Sequence, residues 1–105
     1  MMRREKDTGA MSERQQKIDL LNQTHQFPTN VMFKVIGQNN QVFVAAVVAA
    51  VREVVEALDD PPYSTREARG GRHIAVTIEP HIAHAEQVLD VYARLGQVDG
   101  VVMLM

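Results

Sequence analysis

The sequence predicts an α+β domain of the ferredoxin-like type, in which the order βαββαβ builds a four-stranded antiparallel sheet with two helices on one face. Three observations predict it. Residues 30–36 and 72–79 alternate apolar and polar side chains, as half-buried strands do. Two stretches repeat apolar residues at helical spacing, and a Gly-Gly pair separates two short strand candidates. A chain of 105 residues has room for one such domain.

The first half of the chain predicts a tail, a strand and a long helix. Residues 1–16 carry few apolar side chains, so we expect a disordered tail before a single domain over residues 17–105. A strand over residues 30–36 places Val31, Phe33 and Val35 on the core face. A turn with Asn40 as N-cap follows, and then a helix over residues 41–58, whose buried stripe is expected to contain the following apolar residues: Phe43, Val47, Ala50, Val54 and Leu58.

The second half predicts a hairpin, a second helix and a closing strand. An edge strand over 63–69 and a strand over 72–79 flank the Gly70-Gly71 turn. A helix over 83–95 follows, and a strand is expected over 101–105. The apolar stripe of this second helix is expected to comprise Ala85, Val88, Leu89, Tyr92 and Leu95. The core between sheet and helices is predicted to include Phe33, Phe43, Val76 and Leu89.

Composition excludes several functional classes. The chain has no cysteine, which excludes disulfides and thiolate chemistry and favours a cytoplasmic protein. The longest apolar run has ten residues, against the roughly 20 that span a bilayer, so no membrane association is expected. A net charge of −2 argues against a nucleic-acid partner. Arg66, Arg69 and Arg72 are interpreted either as a solvated hairpin or as an anion-binding edge.

Several segments match the pattern of a known family in order and spacing. They are Phe27-Pro28, Lys34-Val35-Ile36-Gly37, Tyr63-Ser64, Ile74-Ala75-Val76-Thr77-Ile78, Glu86-Gln87-Val88, Val91-Tyr92 and Val102-Met103-Leu104. With these segments the chain resembles the YbeD-like family of small bacterial proteins of unassigned function, whose fold is similar to amino-acid-sensing ACT domains. The resemblance covers about residues 18–105 and implies an ACT-like fold. It implies no catalytic residues, because the family has none established. Residues 36–40 lack the arginine that an acylphosphatase needs for its phosphate cradle, and no residue group of the chain forms a recognisable catalytic or cofactor site, so the chain is predicted to have no cofactor and not to be an enzyme.

Two surfaces are candidates for function. ACT domains bind amino acids at the loop after the first strand, where this chain has Gly37, Gln38, Asn39 and Asn40. The other candidate is the sheet face opposite the helices, predicted to carry Met32, Lys34, Ile36, Ala75 and Thr77, which offers aliphatic side chains and no aromatic platform for RNA.

We therefore predict a regulatory or interaction module that acts through protein contacts or self-association at this face. A sensor of an amino-acid-like metabolite that binds at residues 37–40 is the alternative. His81 and His84 are only half of a metal site, and no metal is predicted.

Overall fold

The computed structural model describes the backbone of residues 9–105 and the side chains from residue 13 onward. The elements, in chain order, are α1 (Gly9–Thr24), β1 (Thr29–Asn30), β2 (Phe33–Gln38), α2 (Gln41–Val55), β3 (Tyr63–Glu67), β4 (His73–Ile78), β5 (His81–Ile82), α3 (Ala85–Leu95) and β6 (Val101–Leu104). The α+β class and the antiparallel sheet are confirmed. No helix in this part of the chain is long and apolar enough to cross a membrane.

Strands pair in the order β3-β4-β2-β6 to form a four-stranded sheet. Strand β2 is central and pairs antiparallel with both β4 and β6. Its side chains alternate, so that Phe33 and Val35 are fully buried while Lys34 is exposed. Strand β4 alternates in the same way, with Ile74, Val76 and Ile78 buried. One face of the sheet therefore lies in the core, as the period-2 pattern predicts.

Helices α2 and α3 pack on that buried face and contact each other. Of the four residues predicted to form the core, Phe33, Phe43 and Val76 are buried, and Leu89 is half-buried. Val91 and Leu95 are fully buried on α3, while Tyr92 meets the Phe33 ring edge-on with the centroids 5.1 Å apart.

Helix α2 ends three residues earlier than predicted. Glu56 adopts a left-handed conformation with φ 55° and ends the helix. The Arg52 guanidinium then donates to the carbonyls of Ala57 and Leu58, just beyond the helix end. The prediction that Leu58 belongs to the buried stripe is wrong, because its side chain is 89% exposed beyond the helix end.

The N-terminal helix α1 begins at Gly9, so residues 9–16 are helical where the sequence predicts a tail. Ile18 is buried, and Leu21 packs against the core from the same helix. Residues 1–8 of the predicted tail lie outside the described residues.

The strand predicted over residues 30–36 is divided in two. Residues 29–30 form β1, which pairs with β5 in a separate two-stranded sheet, and β2 begins only at Phe33. Met32, expected within the strand, therefore lies just before it. The hairpin is present with shorter strands than predicted, and Gly70 and Gly71 both have positive φ, which explains their place in the turn.

Candidate functional site

Gly37 in the candidate ligand loop is required by packing. A Cβ atom at this position would lie 2.3 Å from Cζ of Phe43 and 2.5 Å from the carbonyl oxygen of Gly100. Carbon atoms in contact are normally about 3.5–4.0 Å apart, so no side chain fits here. The close approach of β2 to the first turn of α2 therefore accounts for this glycine.

The two asparagines of the loop are engaged by other parts of the protein. Asn40 caps α2, because its side-chain Oδ1 accepts a hydrogen bond from the Phe43 amide at 2.7 Å. Asn39 donates through Nδ2 to Oε2 of Glu67 at 2.9 Å and to the carbonyl of Gly71 at 2.8 Å. The Asn39 side chain therefore joins the loop to the β3–β4 hairpin.

The backbone amides of the loop are engaged as well. The Gln38 amide donates to the carbonyl of Gly100 at 3.1 Å, and the Asn39 amide donates to that of Arg72 at 3.2 Å. The Asn40 amide donates to the carbonyl of Gln38 at 2.9 Å. Each of these three donors already has a partner within the protein, so a carboxylate ligand would have to compete for it.

On the sheet face opposite the helices, here called the open face, strand pairing brings four of the five predicted contact residues together. Ile36 lies between Ala75 on β4 and Met103 on β6, and Lys34 pairs with Thr77. Ile36, Ala75 and Thr77 are half-buried, and Lys34 is exposed. Met32, which is 59% exposed, lies just before β2 and has no partner in the strand pairing.

Two methionines extend the apolar part of the open face beyond the predicted residues. Met103 pairs with Ile36 and is 49% exposed. Met105 exchanges backbone hydrogen bonds with Lys34 at 2.8 and 3.2 Å and is 53% exposed. The apolar closing segment of the sequence is the signal that could have placed both of them on this face.

Basic groups border this apolar strip. Arg66 pairs with Ala75 on the far side from Ile36, and His73 pairs with Gln38. Lys34 and Arg66 form no salt bridge with any other described residue. The open face thus has an aliphatic centre with a basic border.

The two histidines near α3 have separate partners. Nδ1 of His81 lies 3.0 Å from Oδ1 of Asn30, across the small β1–β5 sheet. Nδ1 of His84 lies 3.2 Å from Oε1 of Glu86. Among the residues that the structure describes, no three side chains of His, Asp or Glu come together as a metal would need.

A groove that the sequence did not indicate lies between α2 and β3. Its floor is apolar, with Val44, Val48 and Ile74, and its volume is about 1140 Å³. Both walls carry acidic side chains, including Glu56 on the helix side and Glu67 on the strand side. No sequence motif marks it, because its walls are far apart in the chain.

Comparisons with known proteins agree with this architecture. A family model described as "Protein of unknown function (DUF493)" matches residues 22–105. A UPF0250 protein of Klebsiella pneumoniae is 34% identical over 85 residues, which cover 81% of this chain and 95% of the relative. The UPF0250 protein YbeD of Escherichia coli is 33% identical with the same coverage. The solution structure of protein HP0495 from H. pylori superposes with a TM-score of 0.58 at 12% identity, over 77% of this chain and 85% of that one.

Proposed function

The chain belongs to the DUF493 family and is similar to the YbeD proteins, and from this premise we propose that it is a non-enzymatic regulatory module that acts through protein contacts of its open face. The strand order and the packing of α2 and α3 on one face support a ferredoxin-like, ACT-like domain. The absence of cysteine supports a reducing compartment such as the cytoplasm.

The observation that carries the proposal is the position of Ile36. It lies on the central strand of the sheet with Ala75 and Met103 on either side, and the helices pack on the opposite face. Methionine side chains adapt to different partner shapes, and both Met103 and Met105 are about half exposed at this edge. Covering this strip would remove apolar surface from water, which is the main driving force for protein association.

The border of the open face indicates the chemistry of the partner. Lys34, Arg66 and His73 surround the aliphatic centre, so the best complement is an aliphatic patch with acidic side chains around it. The paired residues of this face include no Phe, Tyr or Trp side chain on which a base could stack. This composition favours a protein partner, including a second copy, over RNA.

The alternative of a metabolite sensor has less support. The amides of Gln38, Asn39 and Asn40 already donate to carbonyls within the protein. A metabolite that binds there would have to replace these bonds. A thermal-shift screen against amino acids tests this, because a ligand at 100 times its Kd raises stability by about 2.7 kcal/mol.

The deciding experiment places a charge at the centre of the open face. Ile36→Glu should weaken self-association or partner binding at least about tenfold, because a carboxylate buried in an apolar contact loses its hydration. Val42→Glu is the matched control, since Val42 is 80% exposed on α2, away from the open face. Sedimentation velocity and pull-down measure association, and circular dichroism verifies folding.

Two results would contradict the proposal. One is equal association by wild type and folded Ile36→Glu protein. The other is salt-sensitive binding of RNA by the wild type at micromolar concentration, which would identify the basic border as a phosphate-binding surface.

A further inference from the structure

We propose that the free edge of β3 and the groove between β3 and α2 bind an extended peptide with a basic side chain, which adds a fifth strand to the sheet. This site lies on the helix side of the sheet and does not depend on the function of the open face. The proposal rests on three features: the free backbone groups of β3, the shape of the groove and its charge.

The orientation of the β3 backbone follows from its pairing with β4. The ladder is flanked by two hydrogen bonds, from the Glu79 amide to the Pro62 carbonyl and from the Ala68 amide to the His73 carbonyl, both at 2.9 Å. Hydrogen-bonded and non-bonded pairs alternate along an antiparallel ladder, so the even-numbered residues of β3, like Pro62 and Ala68, bond to β4. The amides and carbonyls of the odd-numbered residues of β3 therefore point to the free edge, and these are Tyr63, Thr65 and Glu67.

The edge of β3 is suited to accept another strand. Its five residues pair with β4 in an unbroken register, and all five are exposed. The other edge strand of the sheet, β6, has a shift in register opposite Ile36 and Gly37, which interrupts its pairing with β2. Regular, uncovered edges are the ones to which extended peptides add.

The groove receives the side chains that such a peptide would project. Tyr63, Thr65 and Glu67 pair with buried residues of β4, so their side chains lie on the helix side of the sheet and line the groove. Side chains of an added strand directly opposite these residues point to the same side. The floor of Val44 and Val48 can therefore contact a small aliphatic side chain at the central position.

The charge of the groove specifies a basic peptide. Its lining contains four acidic residues, Glu53, Glu56, Asp60 and Glu67, and one basic residue, Arg52. Asp60 is already paired with Arg52 at 3.1 Å, and Glu53 is paired with Arg94 on α3. Glu56, in contrast, forms no salt bridge with any other described residue. A Lys or Arg side chain near the Tyr63 end of the peptide site would meet this carboxylate.

The same charge argues against a second copy as the occupant. If two copies paired through β3, each would bring its own Glu56 and Glu67, neither of which has a salt-bridge partner among the described residues, to the junction. Like charges brought together across an interface oppose association. A basic peptide supplies the same backbone hydrogen bonds and the opposite charge.

The probe is a set of acetylated, amidated hexapeptides in which three alternate positions vary among Lys, Glu, Val and Ser and the other three are Thr. Fluorescence anisotropy gives the affinities, and amide NMR shifts locate the binding. We expect peptides with a central Val and a Lys toward the Glu56 end to bind best. The amides of Tyr63, Thr65 and Glu67 should shift, and N-methylation of the peptide amides that face β3 should abolish binding.

Protein variants test the two contributions separately. Thr65→Pro removes one outward amide without breaking the pairing with β4, since edge strands tolerate proline at such positions, and should weaken binding at least about tenfold. Glu56→Lys should weaken binding of the Lys peptide about fivefold. Glu13→Lys makes the same charge change on α1 and should have no effect. Ile36→Glu should also have no effect, which separates this proposal from the function of the open face.

Several outcomes would overturn the proposal. They are undiminished binding of the N-methylated peptides, a preference for Glu over Lys, shifts confined to the open face, or no binding by any peptide at about 1 mM. Dimerisation that Thr65→Pro abolishes would assign the edge to a second copy instead. If Thr65→Pro does not fold, the N-methylated peptides and Glu56→Lys still test the site.

Discussion

Replacing Gly37 by alanine tests whether the candidate ligand loop is shaped by packing or by a ligand. The added methyl group would lie 2.3 Å from Cζ of Phe43 and 2.5 Å from the Gly100 carbonyl oxygen. The Phe43 ring is only 2% exposed and has little room to move. The Gly100 carbonyl accepts the hydrogen bond of the Gln38 amide, so moving it also disturbs the pairing at the end of β2.

The cost of this substitution can be estimated from these two contacts. Overpacking a core costs about 1–3 kcal/mol, and a clash with both a buried ring and a backbone carbonyl belongs at the upper end of that range. Alanine also lowers the entropy of the unfolded chain, which stabilises the folded state by about 0.4–1 kcal/mol. The net loss is about 2–2.5 kcal/mol, which corresponds to a fall in Tm of roughly 8–20 °C for a domain of this size.

Urea denaturation followed by circular dichroism measures this loss. Gly96→Ala is the matched control, because the nearest atoms to an added Cβ there are at an ordinary 3.6 Å and the φ angle of −63° suits alanine. It should be neutral or stabilising by up to about 1 kcal/mol. In a Phe43→Leu background, Gly37→Ala should cost at least about 1 kcal/mol less, because the smaller side chain relieves one of the two clashes.

The packing explanation fails if Gly37→Ala changes the free energy of unfolding by less than about 0.5 kcal/mol, or if its cost is the same in both backgrounds. A stable Gly37→Ala protein would mean that the loop has room for a side chain. Gly37 would then be available for a role in binding.

Two further predictions concern helix α2. Phe43→Ala should lower the free energy of unfolding by about 3–5 kcal/mol, because the ring is buried. Leu58→Ala should change the free energy of unfolding by less than about 0.5 kcal/mol, because that side chain is 89% exposed. Equal costs of the two substitutions in thermal denaturation would contradict the observed end of the helix. Asn40→Ala should lower the free energy of unfolding by about 1 kcal/mol, because the hydrogen bond that caps the Phe43 amide is lost. Gln41→Ala is a nearly neutral control. An equal effect of the two substitutions in urea denaturation would rule out the cap.

The sequence predicts those features that depend on neighbouring residues. The alternation of β2 and β4 places Phe33, Val35 and Val76 in the core, because side chains on a strand alternate whatever surrounds it. The cap at Asn40 is also local, since its partner is three residues away. For the same reason, the grouping of Lys34, Ile36, Ala75 and Thr77 on one face could be predicted once the strands were known.

Two kinds of feature could not be predicted: those that lack the usual local sequence signal, and those that depend on distant residues. Helix α2 ends at Val55 although no glycine follows it, because Glu56 adopts the left-handed conformation and Arg52 binds the carbonyls of the next turn. Asn39 has the sequence signature of a turn residue, and only the fold reveals that its partner is Glu67 on the neighbouring hairpin. The groove has the same origin, since its helix wall and its strand wall meet only in the folded chain.

The alternation of side chains along β3 also separates the charges of the domain. Arg66 lies on the open face opposite Ala75, while its neighbour Glu67 lies on the groove side opposite Ile74. The same sheet therefore presents a basic border on one face and an acidic groove on the other, and a net charge of −2 conceals both. Exposed charges are screened beyond about 8 Å at physiological ionic strength, so each partner responds mainly to the surface that it contacts. Arg66→Glu should therefore weaken binding at the open face and leave the affinity for basic peptides nearly unchanged, because its backbone bonds to β4 and its side chain points away from the groove.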